Sequence, residues 1–488
     1  MEKIVLEVPS ALKGIASALR GVISVAAEQL ERARARGPAN YEAFEGDLAA
    51  ALRVVECGVH AAALSSLDVD EPILLINGRR HARVMRSTTT FMAQAGEVEV
   101  SRALYRLCWE RNSAVVDIIA LRAGAIEGVW LPGTARAMAY ELQQGTPREA
   151  VGSARNMGRL PYSHTSFHTV GHAVGQRYVA AHATIERELI ERFQVPGESS
   201  SISVSLDRVS IPMQEPRIEE PGQPKSTQRK RKSQREKRKK AAKNPISVKY
   251  RMAYVGTVTL HDEDGRALHT IRYGTMPSGD PQALCRGMAN DVLHIVSQRP
   301  RLRLSLLCDG APEMWNLLDA EFNAETFGNR PIARMIDFWH LIEKLAPAAR
   351  VLFGEKAAKN NATRWTIGLL NRSGAASEIC KELVTSGKDN NEFDKECPVH
   401  SAITYLTNNG ERMNYRAARG AGLPIGSGNV EATCKTLFGL RFKRSGARWK
   451  TATGEHIVHL RALALSDRWD DAMDITLVCP RVSIRRAA

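Results

Sequence analysis

The order of β- and α-patterned segments between residues 199 and 310 constrains this chain more than any other feature. Residues 199–213, SSSISVSLDRVSIPM, alternate apolar and polar side chains as a half-buried strand does, with Asp207 in the middle. Farther on, ISVKYRMAYVGTVTLHDEDGRALHTIRYG supplies two β runs joined through Asp262-Glu263-Asp264-Gly265, whose Asp-Gly is a strong hairpin signal. Residues 280–298 predict a helix with Asp280 as cap and Pro281 at its first position. RLRLSLLCDG at 301–310 then predicts a short apolar strand ending at Asp309. A β-β-β-α-β order of this kind predicts a mixed sheet in an α/β domain.

The flanking segments are mostly helical. Residues 11–66 carry two Ala- and Leu-rich helical stretches, followed by short β-like pieces from Ile73 to about Leu107 and a mixed segment to Leu131 that assigns no element. Residues 134–180 return to helix, broken at Gly145-Thr146-Pro147 and at Pro161, with Ser163 or Thr165 able to cap the last helix. The spacing suits a helix-turn-helix whose last helix offers Ser166, His168, Thr169 and His172 to a groove, near Arg177 for phosphate. An ordinary antiparallel bundle suits it equally. Beyond Asp309, a helix at 311–322, an apolar strand or helix start at 331–339 and a helix to Gly354 complete the core pattern. The segments expected are therefore 1–130, 131–198, the first catalytic part at 199–354, an inserted polar helical lobe at 355–420, late helices at 421–475 and a loose basic tail at 476–488.

The 68 Lys and Arg outnumber the 53 Asp and Glu, for a net charge of +15. Residues 221–243 alone hold eleven basic side chains, among them Arg229, Lys230, Arg231 and Lys232, against one acid, Glu236. That density predicts contact with a polyanion, with double-stranded DNA the first expectation. No uninterrupted apolar run reaches the ~18 residues of a membrane span, so no membrane is expected. The eight cysteines form no Cys-x-x-Cys pair, which points to a reducing, cytoplasmic setting, and a DNA partner would place the chain at the nucleoid.

Three acids stand at distinctive points: Asp207 within a strand, Asp309 at the carboxyl end of another, and Glu431 entering a late helix after Gly426-Ser427-Gly428-Asn429-Val430. A carboxylate in a half-buried strand needs a partner or a metal, and strand ends of α/β folds hold ligands. Converging carboxylates suit Mg²⁺ or Mn²⁺. The strings SVSLDRVSIPM, YRMAYVGTVTLHDEDG, LCDGAPEMW, IDFWHLIEKL and GSGNVEATCKTLFGLRFKRSGARW resemble the Kra-type group of bacterial insertion-sequence transposases, related to the Mutator-type DDE enzymes. The resemblance covers about residues 200 to 470.

It implies an RNase H-like β-β-β-α-β-α-β-α core with a helical insertion, and a transposase that cuts element ends and joins them to target DNA. It makes Asp207, Asp309 and Glu431 the catalytic acids, holding two Mg²⁺ or Mn²⁺ ions, with Asp337 and His340 as an accessory pair that could equally be a helix-start cap and a core histidine. It also implies DNA contacts from Lys435, Arg441, Lys443, Arg444 and Arg448, and a homo-oligomer that pairs both terminal inverted repeats. The related families carry zinc-binding cysteines near the N-terminus, whereas here only Cys57 and Cys108 precede residue 199. DNA contact by the N-terminal half therefore rests on the helix-turn-helix and on Arg79-Arg80-His81-Ala82-Arg83. An RNase H-like structure-selective nuclease and a transposase-derived DNA-binding regulator are the alternatives.

Overall fold

The structure, a computed structural model, describes residues 7–34, 40–110, 112–216, 246–389, 396–479 and 481–487. The basic stretch at 221–243, with Arg229, Lys230, Arg231 and Lys232, lies outside them. The chain forms a mixed α/β structure with two five-stranded sheets, and it divides into two compact units, residues 1–185 with 470–488, and residues 186–469.

In the first unit, α1 (Ala16–Arg34) and α2 (Tyr41–Ser65) precede an antiparallel sheet of β1 (Ile73–Ile76), β2 (Arg79–Ala93), β3 (Gly96–Leu107) and β4 (Val116–Asp117). Leu64 at the end of α2 packs with Phe91, Val98 and Val100 of this sheet. The mixed stretch before Leu131 holds β4 and α3 (Ile118–Ala123), capped by Asp117. Three further helices follow, α4 (Pro132–Gln144), α5 (Pro147–Asn156) and α6 (His164–Ala180), then α7 (His182–Arg192) leads on. Thr146 and Glu149 form a reciprocal capping box on α5, and Ser163 caps α6. Residues 157–163 between α5 and α6 are longer than a helix-turn-helix turn of three to four residues, and Leu160 N donates to Gln94 O at 2.9 Å. The arrangement is nearer to the bundle. The tail differs from expectation as well: Ile484–Arg486 pairs antiparallel with β1 and extends the sheet.

In the second unit the strands are β5 (Ser201–Pro216), β6 (Ile246–His261), β7 (Ala267–Thr275), β8 (Arg303–Cys308) and β9 (Ile332–Ile336), in the spatial order β7-β6-β5-β8-β9. β5, β6 and β7 are antiparallel neighbours, whereas β8 runs parallel to β5 and β9 parallel to β8. α8 (Pro281–Gln298), capped by Asp280 as its sequence predicts, lies on one face, where a Cβ on Gly256 would meet Leu284 and Met288. A Cβ on Gly274, which pairs with Val255 and so points to the other face, would meet Leu437 and Val458. Helices therefore cover both faces.

That covering corrects one expectation. The alternation of β5 predicts a solvated polar side, yet Ser201, Ser203 and Ser205 are buried. Small hydroxyl side chains let the late helices lie close, and the face stays partly satisfied: Ser203 Oγ meets His261 Nε2 at 2.8 Å, and Thr259 meets Thr270 at 3.2 Å. The polar lobe expected at 355–420 is also corrected. α11 (Phe338–Asn371) is two helices joined at a kink at Gly354 (φ 70°, ψ 162°), where the sequence predicts the first to end, but Trp365, Leu383, Val399, Leu406 and Tyr415 beyond it share one buried cluster with the sheet. Surface Asn and Lys obscured an apolar stripe at helical spacing.

His261 sets a pH limit on this unit. It is 2% exposed, its Nδ1 lies 3.2 Å from the Gly265 carbonyl, and burial holds its imidazole below the usual range. The unfolded chain takes up this proton as pH falls below ~6.5 while the folded chain does not, so stability is complete above that pH and declines below it. We expect a slope of up to ~1.4 kcal/mol per pH unit from this group in urea unfolding between pH 7.5 and 5.5, with the His261→Gln variant showing a shallower one. Equal slopes would refute the assignment.

Candidate active site

The register of the three parallel strands decides where the acids stand. The offset of 102 residues that pairs Val204 with Leu306 also relates Asp207 to Asp309. Likewise, the offset of 28 that pairs Cys308 with Ile336 relates Asp309 to Asp337, and Asp337 N donates to Cys308 O at 2.8 Å, continuing the ladder. Residues in register on neighbouring strands point to the same face. Asp207 in the middle of β5, Asp309 directly after β8 and Asp337 directly after β9 are thus aligned by register on one side of the sheet.

Each carboxylate is held by local chemistry. Asp207 Oδ1 accepts from Arg208 N at 2.6 Å, and its Oδ2 accepts from the Cys434 thiol at 3.3 Å. Cys308 is interleaved between β8 and β5, its thiol donating to Leu206 O at 3.1 Å. Asp309 Oδ1 accepts from Ala311 N at 3.0 Å, closing the turn into α9 (Pro312–Glu321), and Trp315 Nε1 donates to Asp309 O at 2.8 Å. A Cβ on Gly310 would run into the Tyr405 ring, so only glycine fits beside Asp309.

Asp337 is 1% exposed and spends both oxygens on backbone amides. Oδ1 caps α11 through His340 N at 2.8 Å, and Oδ2 accepts from Ser427 N. The second bond matters most, because Ser427 opens α15 (Gly428–Thr433), the short helix that carries Glu431. Glu431 consequently feels Asp337, Asp207 and His340, and partial desolvation together with the two carboxylates raises its carboxyl above the usual range. One turn later Cys434 reaches Asp207; burial, then that carboxylate, pushes its thiol up. A π-helical stretch, Cys434–Gly439, follows, a distortion frequent at functional sites.

Register therefore aligns Asp207, Asp309 and Asp337, and the helix after Ser427 brings Glu431 within electrostatic reach of Asp207 and Asp337. His340 is half-buried beside Glu431. The oxygen donors suit a hard cation such as Mg²⁺ or Mn²⁺. As posed, no three His, Cys, Asp or Glu side chains among the described residues converge tightly enough to ligate one ion.

Of the basic candidates, Lys435, Lys443 and Arg448 are exposed, and Arg444 is half-buried with Nε donating to Leu440 O at 2.9 Å. Arg441 departs from expectation. It is buried, with its guanidinium 4.8 Å from the centre of the Trp449 ring, because this weakly hydrated cation stacks well on an indole. In the first unit His168 and Thr169 are exposed on α6, with the His168 and His172 rings 4.5 Å apart, whereas Arg79 pairs with Glu110 and Arg83 with Asp70.

Sequence reasoning passed over Ser427, Cys434 and Tyr405, whose roles depend on contacts between distant segments. It also passed over Trp339, 61% exposed beside Gly426, for which the run Asp337-Phe-Trp-His340 held the signal. No family model matches the chain, and no curated protein matches it significantly.

Asp337 can be tested as the clamp of the Glu431 turn. In Asp337→Asn either amide orientation sets an NH₂ against a backbone donor, at a cost of about 1–3 kcal/mol. We expect a lower Tm and faster hydrogen exchange at the Ser427 amide; unchanged exchange there would show that the clamp is dispensable.

Proposed function

We propose that the chain is a DNA transposase of the DDE type, cutting the ends of a mobile element and transferring the freed 3′-hydroxyl into target DNA. The observation that carries this reading is the strand register that aligns Asp207 with Asp309, together with Glu431, whose carboxyl feels Asp207. The strand order β7-β6-β5-β8-β9, antiparallel then parallel, supports an RNase H-like core, and the resemblance of residues 200–470 to Kra-type transposases supports the chemistry.

Asp207, Asp309 and Glu431 would hold Mg²⁺ or Mn²⁺, which when bound supplies an activated oxygen nucleophile and stabilises charge at phosphorus. Asp337 fixes the turn that delivers Glu431, and Cys434 orients Asp207. Lys435, Lys443 and Arg448 follow Glu431 directly, where they can hold phosphate backbone.

In the first step a water oxygen bonds to phosphorus and the bond to the 3′ oxygen breaks, freeing a 3′-hydroxyl. In the second, that hydroxyl bonds to a target phosphorus as the target's own 3′ oxygen leaves. One phosphodiester is made for each one broken in the joining step, so no high-energy cofactor is needed. Pairing of two ends implies a homo-oligomer on DNA, in keeping with a cytoplasmic, nucleoid-associated protein.

The test is purified protein with Mg²⁺ or Mn²⁺ and labelled DNA carrying the repeats that flank its gene. We expect nicked and joined products, and a loss of at least ~10³-fold, about 4 kcal/mol of barrier, in Asp207→Asn, Asp309→Ala or Glu431→Gln with end binding retained. Nicking without joining would make the protein a nuclease. Binding without cleavage in any form would make it a regulator.

A further inference from the structure

The helical hairpin of α1 and α2 carries more apolar surface than its own fold covers. The two helices pack antiparallel, with Ile15 against Gly58, and Val22, Val25 and Gln29 half-buried. Overlapping that seam at the half-buried Leu19 and Ala26, and exposed at its other positions, a second stripe runs along α1, Ala16, Leu19, Ile23, Ala26, Leu30 and Ala33, spaced alternately by three and four residues. This is a heptad, the period by which one helix seats another. Ile23 and Leu30 are 66% and 64% exposed, no α1 residue is buried, and α2 adds Leu52 and, seven residues on along the same flank, Val59, at 50% and 40%. The best 18-residue stretches of the two helices reach mean hydropathies of 1.2 and 1.4 while only 6% buried, so both are long and apolar enough to cross a membrane by length and composition, which the count of uninterrupted runs did not anticipate.

We propose that this hairpin is where a second copy of the chain docks, antiparallel about a two-fold axis, to form a four-helix bundle. Charge selects that occupant and that direction. In sequence, the turn end of the hairpin carries Glu28, Glu31, Glu42, Glu45 and Asp47 against Arg32, Arg34 and Arg36, a surplus of acid. The other end carries Lys13, Arg20 and Arg53, while its one acid, Glu56, is engaged by Arg159 through two bonds of 2.7 Å. A two-fold partner lays acidic end on basic end, whereas a parallel one would set like charges together. A bilayer is a poorer occupant, because Leu64 of α2 is packed on the sheet with Phe91 and Val98, and Arg20 and Arg53 lie well inside their helices. The inference stands on unit one alone and is independent of the catalytic reading; a dimer that cuts no DNA would leave it intact.

Sedimentation velocity on the full chain, without DNA, tests it. The wild type should sediment at twice 53.7 kDa at micromolar concentration, and Ile23→Glu with Leu52→Glu at 53.7 kDa, a weakening of at least ~100-fold, with far-UV circular dichroism unchanged. Charge reversal fixes the geometry through side chains outside the apolar stripe. A chain with Arg20→Glu and Arg53→Glu, and a chain with Glu28→Arg, Glu31→Arg and Glu45→Arg, should each dissociate alone and pair when mixed. A monomeric wild type, an unaffected double variant or a mixture that stays monomeric would overturn the proposal. Flotation of the wild type, but not of the double variant, with vesicles of equal phosphatidylglycerol and phosphatidylcholine would overturn it in favour of a membrane.

Discussion

Three carboxylates aligned by register across adjacent parallel strands are a costly thing to build, since a carboxylate drawn out of water needs hydrogen-bond donors. The second unit depends on how that need is met. Asp337 faces two backbone amides, Asp309 one amide, and Asp207 an amide and a thiol. Backbone N–H groups are donors that need no counter-charge of their own, so these bonds hold the carboxylates in place within a folded sheet. The same bonds do structural work: one starts α11, another closes the turn into α9, and a third fixes where the chain re-enters at Ser427.

The return of the chain needs anchoring, because Glu431 lies 94 residues beyond Asp337 and would otherwise be placed by a single bond. Several contacts share the task. Glu455 Oε1 accepts from Met276 N and from Thr275 Oγ1, both at 2.9 Å, and Arg461 Nε donates to Thr436 O at 2.8 Å, tying α17 (Thr451–Leu465) to β7 and to the π-helical stretch. Arg468 and Asp291, both buried, form an ion pair that Tyr273 also joins, pinning the end of this region to α8. Breaking such a pair strands a buried charge, so it fixes position strongly even though its net contribution to stability is small. The segment before α17 is fastened to β5 itself: Gln214 N donates to Trp449 O at 2.8 Å and Trp449 N to Pro212 O at 3.0 Å. Strand β5 therefore carries the first acid and also positions the basic loop that follows the last one.

Much of this was legible in sequence because local rules and tertiary demands agree. Asp280-Pro281 begins α8, Ser163 begins α6, and LSLLCDG ends β8 at Asp309, each by residue chemistry that acts within a few positions. Legibility failed where a pattern has two physical solutions. The serines of β5 alternate like a solvated face and are buried, since hydroxyls find partners across the sheet. Residues 484–486 look like a tail because three residues carry no period, and only the edge of β1 makes them a strand. Asp337 reads as a helix cap, which it is; that it also grips Ser427, 90 residues later, has no local signature.

Charge was the least transferable quantity. A run of basic residues after Glu431 invites the inference that all of them meet phosphate, yet the fold sorts them by what each cation tolerates. A guanidinium sheds water easily and can lie flat on an aromatic ring, so Arg441 moves inside against Trp449. An ammonium holds its water, so Lys435 and Lys443 stay out. Arg441 thereby stiffens the loop from which Lys443 and Arg448 project instead of adding to its positive surface. The count of cations in the sequence overstates the number of phosphates this face could neutralise, and in the proposed reading its affinity for DNA would come from fewer, better-placed charges.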